Sequence, residues 1–369
     1  MAGKGLKVII AGGGTGGHIF PGVAIAEEFI KREAAAILFV GTGKKLEKDI
    51  LDGLGFDNCA ILVAGFKGKG PLRVLLALAK LPVSMWESYR IIRSFRPQLV
   101  IGVGGYASGP VVLVAHLLGI KTAVAEQNAL PGLANRILGK FADRIFLTYR
   151  ETKKWFPQKS TFVTGNPVRA DFVASNRVEK EEGSSFTILV FGGSQGAHAI
   201  NRAVLGALPH LCAAGLSIRI IHQTGQDDLT YAAGVYRTCG ISAEVLPFIR
   251  DMAAAYRTAD LVICRAGATS LAEITVLGKA AVLIPFPFAV DDHQTKNALE
   301  MVKAGAAVMI EEKGLTGEKM AETINLYYLH RDLLRDMEIK SAALGNIRAA
   351  ADIVDNCLAL SGHQIGIGT

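Results

Sequence analysis

The 369-residue chain has five cysteines, Cys59, Cys212, Cys239, Cys264 and Cys357, scattered and without a CxxC pair. That spacing excludes a disulfide framework or a zinc site and fits a reducing compartment. No stretch approaches the roughly 18 apolar residues of a membrane span, and the apolar run in MAGKGLKVIIAGGG is too short for a signal peptide. Neither export nor insertion is expected. No DxD triplet occurs, so the chain offers no carboxylate pair spaced to bridge a metal to a diphosphate. Aromatics are 7%, and no basic stripe is interleaved with them. The excess of Lys+Arg over Asp+Glu, 40 against 33, favours anionic partners without building a nucleic-acid arm.

What the chain has is apolar residue and glycine. Half of it is hydrophobic, and 41 glycines cluster in short runs after apolar segments with no fixed period, which excludes collagen and low complexity. The length suits about two domains. Short β-rich runs alternate with longer amphipathic or alanine-rich segments, the pattern of repeated βα units around buried parallel sheets. Strands are predicted at 7–11, 37–40, 59–63, 99–103, 122–126 and 144–147, with a helix over 21–32. After a polar interval at 175–185, the best linker, strands recur at 187–191, 218–222, 243–246, 261–264, 281–284 and 307–310. The fold class is α/β, with two doubly wound domains.

An internal correspondence supports two similar halves. GGGTGGH (residues 12–18) follows the first strand of one half, and GGSQGAH (192–198) follows the first strand of the other. Open α/β sheets bind ligands at such loops, and a cleft between the halves is the expected active site. The first loop satisfies GxGxxG through Gly12, Gly14 and Gly17, yet the second strand ends Val40-Gly-Thr-Gly-Lys44 with no carboxylate for a ribose before Glu47. It is not a P-loop either, because His18 stands where lysine is needed. A third loop, GVGGYASGP (102–110), follows another strand of the first half. Three loops whose backbone can approach phosphate imply two phosphorylated ligands. In the second half RAGATSLAE (265–273) adds the hydroxyls of Thr269 and Ser270 and the carboxylate of Glu273, suited to phosphate, sugar or a ribose diol. Asp291 and Asp292 read as helix caps.

In order, GGGTGGHIFPG, GTGKKLEKDI, GGYASGP, AEQNALPGLANRIL, TGNPVR, FGGSQGAHAIN, HQTG, PFIRDMAAAY, RAGATSLAE and DDHQTKNA resemble the MurG family of peptidoglycan glycosyltransferases over about residues 7–310. The resemblance implies a GT-B architecture, two Rossmann-like domains facing each other across a cleft. Residues 1–166 would bind the acceptor and the membrane and 167–345 would bind UDP-GlcNAc. A helix in 346–362 would return to the first domain, and 363–369 would form a tail. It further implies transfer of GlcNAc from UDP-GlcNAc to the 4-hydroxyl of MurNAc in undecaprenyl-diphospho-MurNAc-pentapeptide (lipid I), giving lipid II.

By the same resemblance, backbone groups at Ile249 would meet uracil and Glu273 the ribose. Ser194 and the turn Ala268, Thr269, Ser270, Leu271, Ala272 would hold the diphosphate, with Arg169 at the domain junction. Gln294 and Asn128 would hold the GlcNAc hydroxyls, Thr15, Gly16 and Gly17 would approach the donor sugar, and Gly104, Gly105 and Tyr106 would take the acceptor diphosphate. The family's histidine before EQN is Ala125 here, so proton transfer at that spot does not apply.

An α-linked donor and a β-linked product imply one inverting displacement, with His18 as base, Glu126 as reserve base or acceptor-orienting group, and no metal or other cofactor. Lys67, Lys69 and Arg73 among Leu72, Leu75 and Leu76 suit an anionic membrane surface, on the cytoplasmic face and peripheral, unless that stretch packs on its own sheet. The alternative enzyme is a UDP-GlcNAc 2-epimerase-like chain of the same architecture acting on the donor alone.

Overall fold

A computed structural model describes residues 5–33, 35–63, 80–175, 185–193 and 196–362. The stretch with Lys67, Lys69, Leu72, Arg73, Leu75 and Leu76, most of the linker interval, Ser194 and the tail 363–369 lie outside the described residues.

The strands are β1 Lys7–Ala11, β2 Ala36–Gly41, β3 Asp57–Ala60, β4 Leu99–Gly102, β5 Lys121–Glu126, β6 Arg144–Leu147, β7 Thr161–Val163, β8 Phe186–Phe191, β9 Ile218–Gln223, β10 Ser242–Leu246, β11 Leu261–Cys264, β12 Ala280–Leu283 and β13 Val308–Met309. The helices are α1 Gly16–Glu33, α2 Lys45–Gly53, α3 Leu81–Phe95, α4 Ser108–Leu117, α5 Leu133–Leu138, α6 Ala170–Ser175, α7 His198–Ala213, α8 Leu229–Cys239, α9 Met252–Thr258, α10 Ala268–Val276, α11 His293–Lys303, α12 Gly317–Leu329, α13 Arg331–Leu344 and α14 Ala349–Leu360. Among the described residues no helix is long and apolar enough to cross a membrane.

The chain divides into two compact units, Met1–Ala170 with Asn346–Thr369, and Asp171–Gly345. The change of domain expected at 166/167 thus falls at 170/171, ahead of the polar interval. The first unit is built on a sheet ordered β3-β2-β1-β4-β5-β6-β7 and the second on one ordered β10-β9-β8-β11-β12-β13, every pairing parallel.

Alternation on the leading strand shows why these runs pair. Val8 and Ile10 enter one core with α1 and α14, while Ile9 and Ala11 enter the other with α4. A strand buried on both faces must be apolar throughout. In the second unit Ile188 and Val190 of β8 pack with Ile263 of β11 and Ile200, Val204 and Leu208 of α7.

Three details depart from expectation. β3 lies earlier than 59–63, because its partner β2 gives out at Gly41, paired with Ala60. β7 was not expected; at three residues it is too short to show alternation. α1 begins at Gly16, not Pro21, so the glycine loop runs straight into the helix and carries His18 in its first turn.

The chain re-enters the first unit at Asn346, whose side-chain amide donates to Thr164 O at 2.8 Å. Ile353, Val354, Cys357 and Leu358 of α14 then complete the core under α1, and Arg32 pairs with Asp355.

Both sheets reverse their winding direction beside the leading strand. In the first, β1 lies between β2 and β4; in the second, β8 lies between β9 and β11. Such a switch point splays the loops that follow its two strands and opens a crevice at their carboxyl ends. The four loops singled out in the sequence are the four that follow β1, β4, β8 and β11.

Candidate active site

In the first unit the two switch-point loops interlock. A Cβ on Gly12 would lie 2.5 Å from Val103 Cγ2 and 2.8 Å from Gly104 O, and one on Gly105 would lie 2.6 Å from Gly13 O. Gly104 and Gly105 hold φ of 93° and 79°, the left-handed region that favours glycine. Ser108 Oγ ties the loops, lying 2.6 Å from Ala11 O and 2.8 Å from Gly104 O. The His18 ring packs on this junction: a Cβ on Gly104 would stand 2.7 Å from its Nδ1. Thr15, Gly16, Gly17, His18, Gly104, Gly105 and the half-exposed Tyr106 are therefore gathered at one place. Gln127, which sequence reasoning passed over, is buried beside them, its Oε1 3.4 Å from that same Cβ position.

Glu47 was set aside in the sequence as too late to serve a ribose. α2 brings it back: its buried carboxylate accepts from Gly14 N at 3.2 Å, from Thr42 N at 3.0 Å and from Thr42 Oγ1 at 3.0 Å. A Cβ on Gly41 would fall 1.3 Å from its Oε1.

Glu126, at the end of β5, is 3% exposed. Oε1 accepts from Asn128 N and Nδ2 at 2.9 and 3.2 Å, and Oε2 from Gly132 N and Asn135 Nδ2 at 3.0 and 2.9 Å. Burial pushes its carboxyl above the usual range, and these donors pull the other way. With both oxygens engaged and water excluded, Glu126 is the post around which the loop carrying Asn128 is wound. Arg169, expected among nucleotide phosphates, belongs to the first unit and stacks over Phe20 of α1, 4.8 Å from the ring centre.

In the second unit the loop after β8 turns at Gly193 and Gly196, with φ of 99° and 78°. A Cβ on Gly196 would meet Thr224 O at 2.0 Å. Gln223, at the end of β9, donates from Nε2 to Gly193 O at 2.7 Å and accepts the Ile249 amide at 2.7 Å. The Ile249 N–H is thus already engaged.

After β11, Ala268, Thr269, Ser270, Leu271, Ala272 and Glu273 form the first two turns of α10. Glu273 Oε2 accepts from the buried Tyr256 hydroxyl at 3.3 Å, and burial raises the Tyr256 pKa well above its ordinary value. Gln294 Oε1 accepts from Phe286 N at 2.9 Å, pinning the loop after β12. Arg265 holds the same loop from the other side, donating to Ile284 O and Pro285 O at 3.2 Å each. The expected capping is corrected for Asp292, which occupies the N-cap of α11 with φ 54° but makes no side-chain cap bond. Asp291 and Asp292 hold φ of 55° and 54°, left-handed backbone rare outside glycine, and His293 Nδ1 lies 2.6 Å from Val290 O.

The glycosyltransferase family 28 N-terminal domain matches residues 8–147 and the family 28 C-terminal domain matches residues 187–356. The chain is 60% identical over 356 residues to "UDP-N-acetylglucosamine--N-acetylmuramyl-(pentapeptide) pyrophosphoryl-undecaprenol N-acetylglucosamine transferase" of Syntrophus aciditrophicus (strain SB), covering 96% of this chain and 99% of that one. The crystal structure of Acinetobacter baumannii MurG superposes with a TM-score of 0.77 at 31% identity, covering 96% of this chain and 99% of that one. A UDP-GlcNAc 2-epimerase from Neisseria meningitidis bound to UDP-GlcNAc reaches 0.69 at 14% identity, covering 96% and 100%, and shares the fold alone. The two domain matches and the identity to the Syntrophus enzyme establish that the chain belongs to glycosyltransferase family 28.

Proposed function

We propose that this chain transfers GlcNAc from UDP-GlcNAc to the 4-hydroxyl of MurNAc in a polyprenyl-diphosphate-linked acceptor, lipid I, giving lipid II. The observation that carries the reading is a switch-point crevice with a glycine-rich loop in each unit, in a chain whose relatives are named for this transfer. Two phosphorylated reactants need two such sites. A donor-only epimerase leaves the Gly104–Tyr106 loop without a task.

In this reading the second unit takes the donor. The Ile249 carbonyl receives the uracil N3–H, Glu273 receives the ribose hydroxyls, and Ser194 with the start of α10 faces the diphosphate. Gln294 and Asn128 hold the GlcNAc hydroxyls and Arg169 neutralises phosphate. The first unit takes the acceptor diphosphate at Gly104, Gly105 and Tyr106.

His18 removes the proton of the acceptor hydroxyl as that oxygen bonds to the sugar's anomeric carbon. The anomeric carbon–phosphate oxygen bond breaks on the opposite side, and UDP leaves with the electron pair. His18 is preferred to Glu126 because the Glu126 oxygens are filled by loop donors. A polyprenyl acceptor puts the enzyme at the cytoplasmic face of the membrane as a peripheral protein, with the basic, leucine-rich segment around Lys67–Leu76 on anionic lipid. Lipid II supply ties it to cell-wall growth, shape and division.

The test is incubation with labelled UDP-GlcNAc and a lipid I analogue. A disaccharide product, with UDP released only when acceptor is present, supports transfer; UDP release or epimerised sugar without acceptor overturns it. His18→Ala should lower turnover by about 10² or more while UDP binding survives, the size expected of a lost general base.

A further inference from the structure

Gln223 ends the second strand of the second sheet, and β9 runs between β8 and β10. Its side chain therefore emerges between the loops that follow those two neighbours. It is 3% exposed, and one amide group spans the gap: Nε2 to Gly193 O and Oε1 to Ile249 N, both at 2.7 Å. Both partners are backbone groups of fixed polarity, so the amide has one possible orientation.

The next residue pins the far side of the same glycine loop. Thr224 O lies against Gly196 and accepts from Asn201 Nδ2 at 2.8 Å, while Thr224 N donates to Leu246 O at 3.0 Å. The loop after β8 and the turn at Ile249 are thus fastened to one strand end, through one buried amide. Among the described residues, neither loop is held there by a strand ladder.

Resting on the nucleotide reading above, we propose that Gln223 is a positioning residue that couples base recognition to diphosphate binding. It sets the separation between the Ile249 turn and the Gly193 loop, and with it the preference for a pyrimidine nucleoside diphosphate. An isosteric Gln223→Met loses both bonds. Gln223→Glu keeps the acceptor for Ile249 but turns a carboxylate oxygen on the Gly193 carbonyl. A buried polar group left without its partner is costly, so each loop is expected to shift rather than stay in place unpaired.

The experiment uses the full chain. UDP and ADP affinities are measured by calorimetry, with KM and kcat for UDP-GlcNAc, for wild type, Gln223→Met and Gln223→Glu, each checked for a cooperative melt. A KM raised about tenfold or more, a kcat within about threefold and a reduced UDP-over-ADP preference support the coupling, because a generally loosened fold lowers kcat as well. Folded variants with wild-type KM and selectivity overturn it.

Hydrogen exchange of the Ile249 amide in nucleotide-free wild type is a second test that needs no variant. Slow exchange supports the strut, and exchange at the rate of an open loop overturns it. Wild type that fails to bind UDP would instead sink the nucleotide reading, and the coupling with it, whatever the Ile249 amide does.

Discussion

Acid should unsettle the second unit from within, through His222. The ring is fully buried in β9, its Nε2 3.1 Å from Asn201 Oδ1 and its Nδ1 2.9 Å from the Tyr236 hydroxyl. Asn201 Nδ2 donates to Thr224 O at 2.8 Å and to Asp228 Oδ2 at 2.7 Å, so the atom facing the ring is an oxygen that can only accept. The ring proton therefore sits on Nε2, and Nδ1 accepts from Tyr236. A second proton would confront a phenol already pointing its own proton at that nitrogen.

Burial lowers the His222 pKa from 6.5 to about 4, with Asp228 opposing. Below pH ~6.5 the unfolded chain takes up a proton that the folded unit refuses, so stability present above that pH is lost as it falls toward 4. At 2.3RT per pH unit the whole window is worth about 3 kcal/mol, of which about 2 kcal/mol is lost by pH ~5.

Urea unfolding at about pH 7.5 and about pH 5, wild type beside His222→Gln, measures it. The wild type should lose about 2 kcal/mol more than the non-titrating variant. Equal losses would show that folding does not hold this imidazole neutral, and the proton assignment would fail with it.

Three further outcomes are expected. Gly41→Ala should destabilise the first unit by about 3 kcal/mol, since its Cβ falls on Glu47 Oε1 and displaces a carboxylate that anchors Gly14 and Thr42. Adding Glu47→Ala should cost less than the sum, and additive melting shifts would refute the clash. Deleting residues from 346 onward removes Ile353, Val354 and Leu358, each no more than 2% exposed. At about 2 kcal/mol apiece their loss is comparable with a domain's net stability, so the shortened chain should be protease-sensitive; a protease-resistant first unit would refute this. Turnover should persist in excess chelator, and activity abolished by chelator and restored by magnesium would show that the diphosphate needs a cation.

Sequence made the strands legible because parallel strands buried on both faces must be apolar throughout, and β1, β6 and β11 lie where the apolar runs end. It also made the loops legible, because close backbone approach requires glycine. Side chains whose task is set by distant partners could not be read this way. Glu47 sits 33 positions from the Gly14 amide it accepts, and Gln223 sits 30 from Gly193 and 26 from Ile249. The available signal was positional: each falls at or just after the second strand of its half, the strand beside the leading one. The Glu126 cage was hidden for the opposite reason, since its partners are local but every one of them also fits a ligand-binding loop.

On the function proposed above, Glu47 and Gln223 bear on which sheet takes which ligand. From the helix just past its second strand the first unit sets the buried Glu47 carboxylate against Gly14 N of its glycine loop and Thr42 N of the loop after β2. The Gly14 and Thr42 amides are already engaged by this side chain, so they are not open to an incoming diphosphate. On the proposed function, the acceptor diphosphate is left to the other loop of the switch point, around Gly104 and Gly105. At the corresponding place the second unit uses Gln223, a neutral amide that spends its donor on a carbonyl and its acceptor on an amide. It fixes the glycine loop without adding charge, so phosphate can approach. On the function proposed above, this contrast of carboxylate and carboxamide favours the nucleotide on the second sheet.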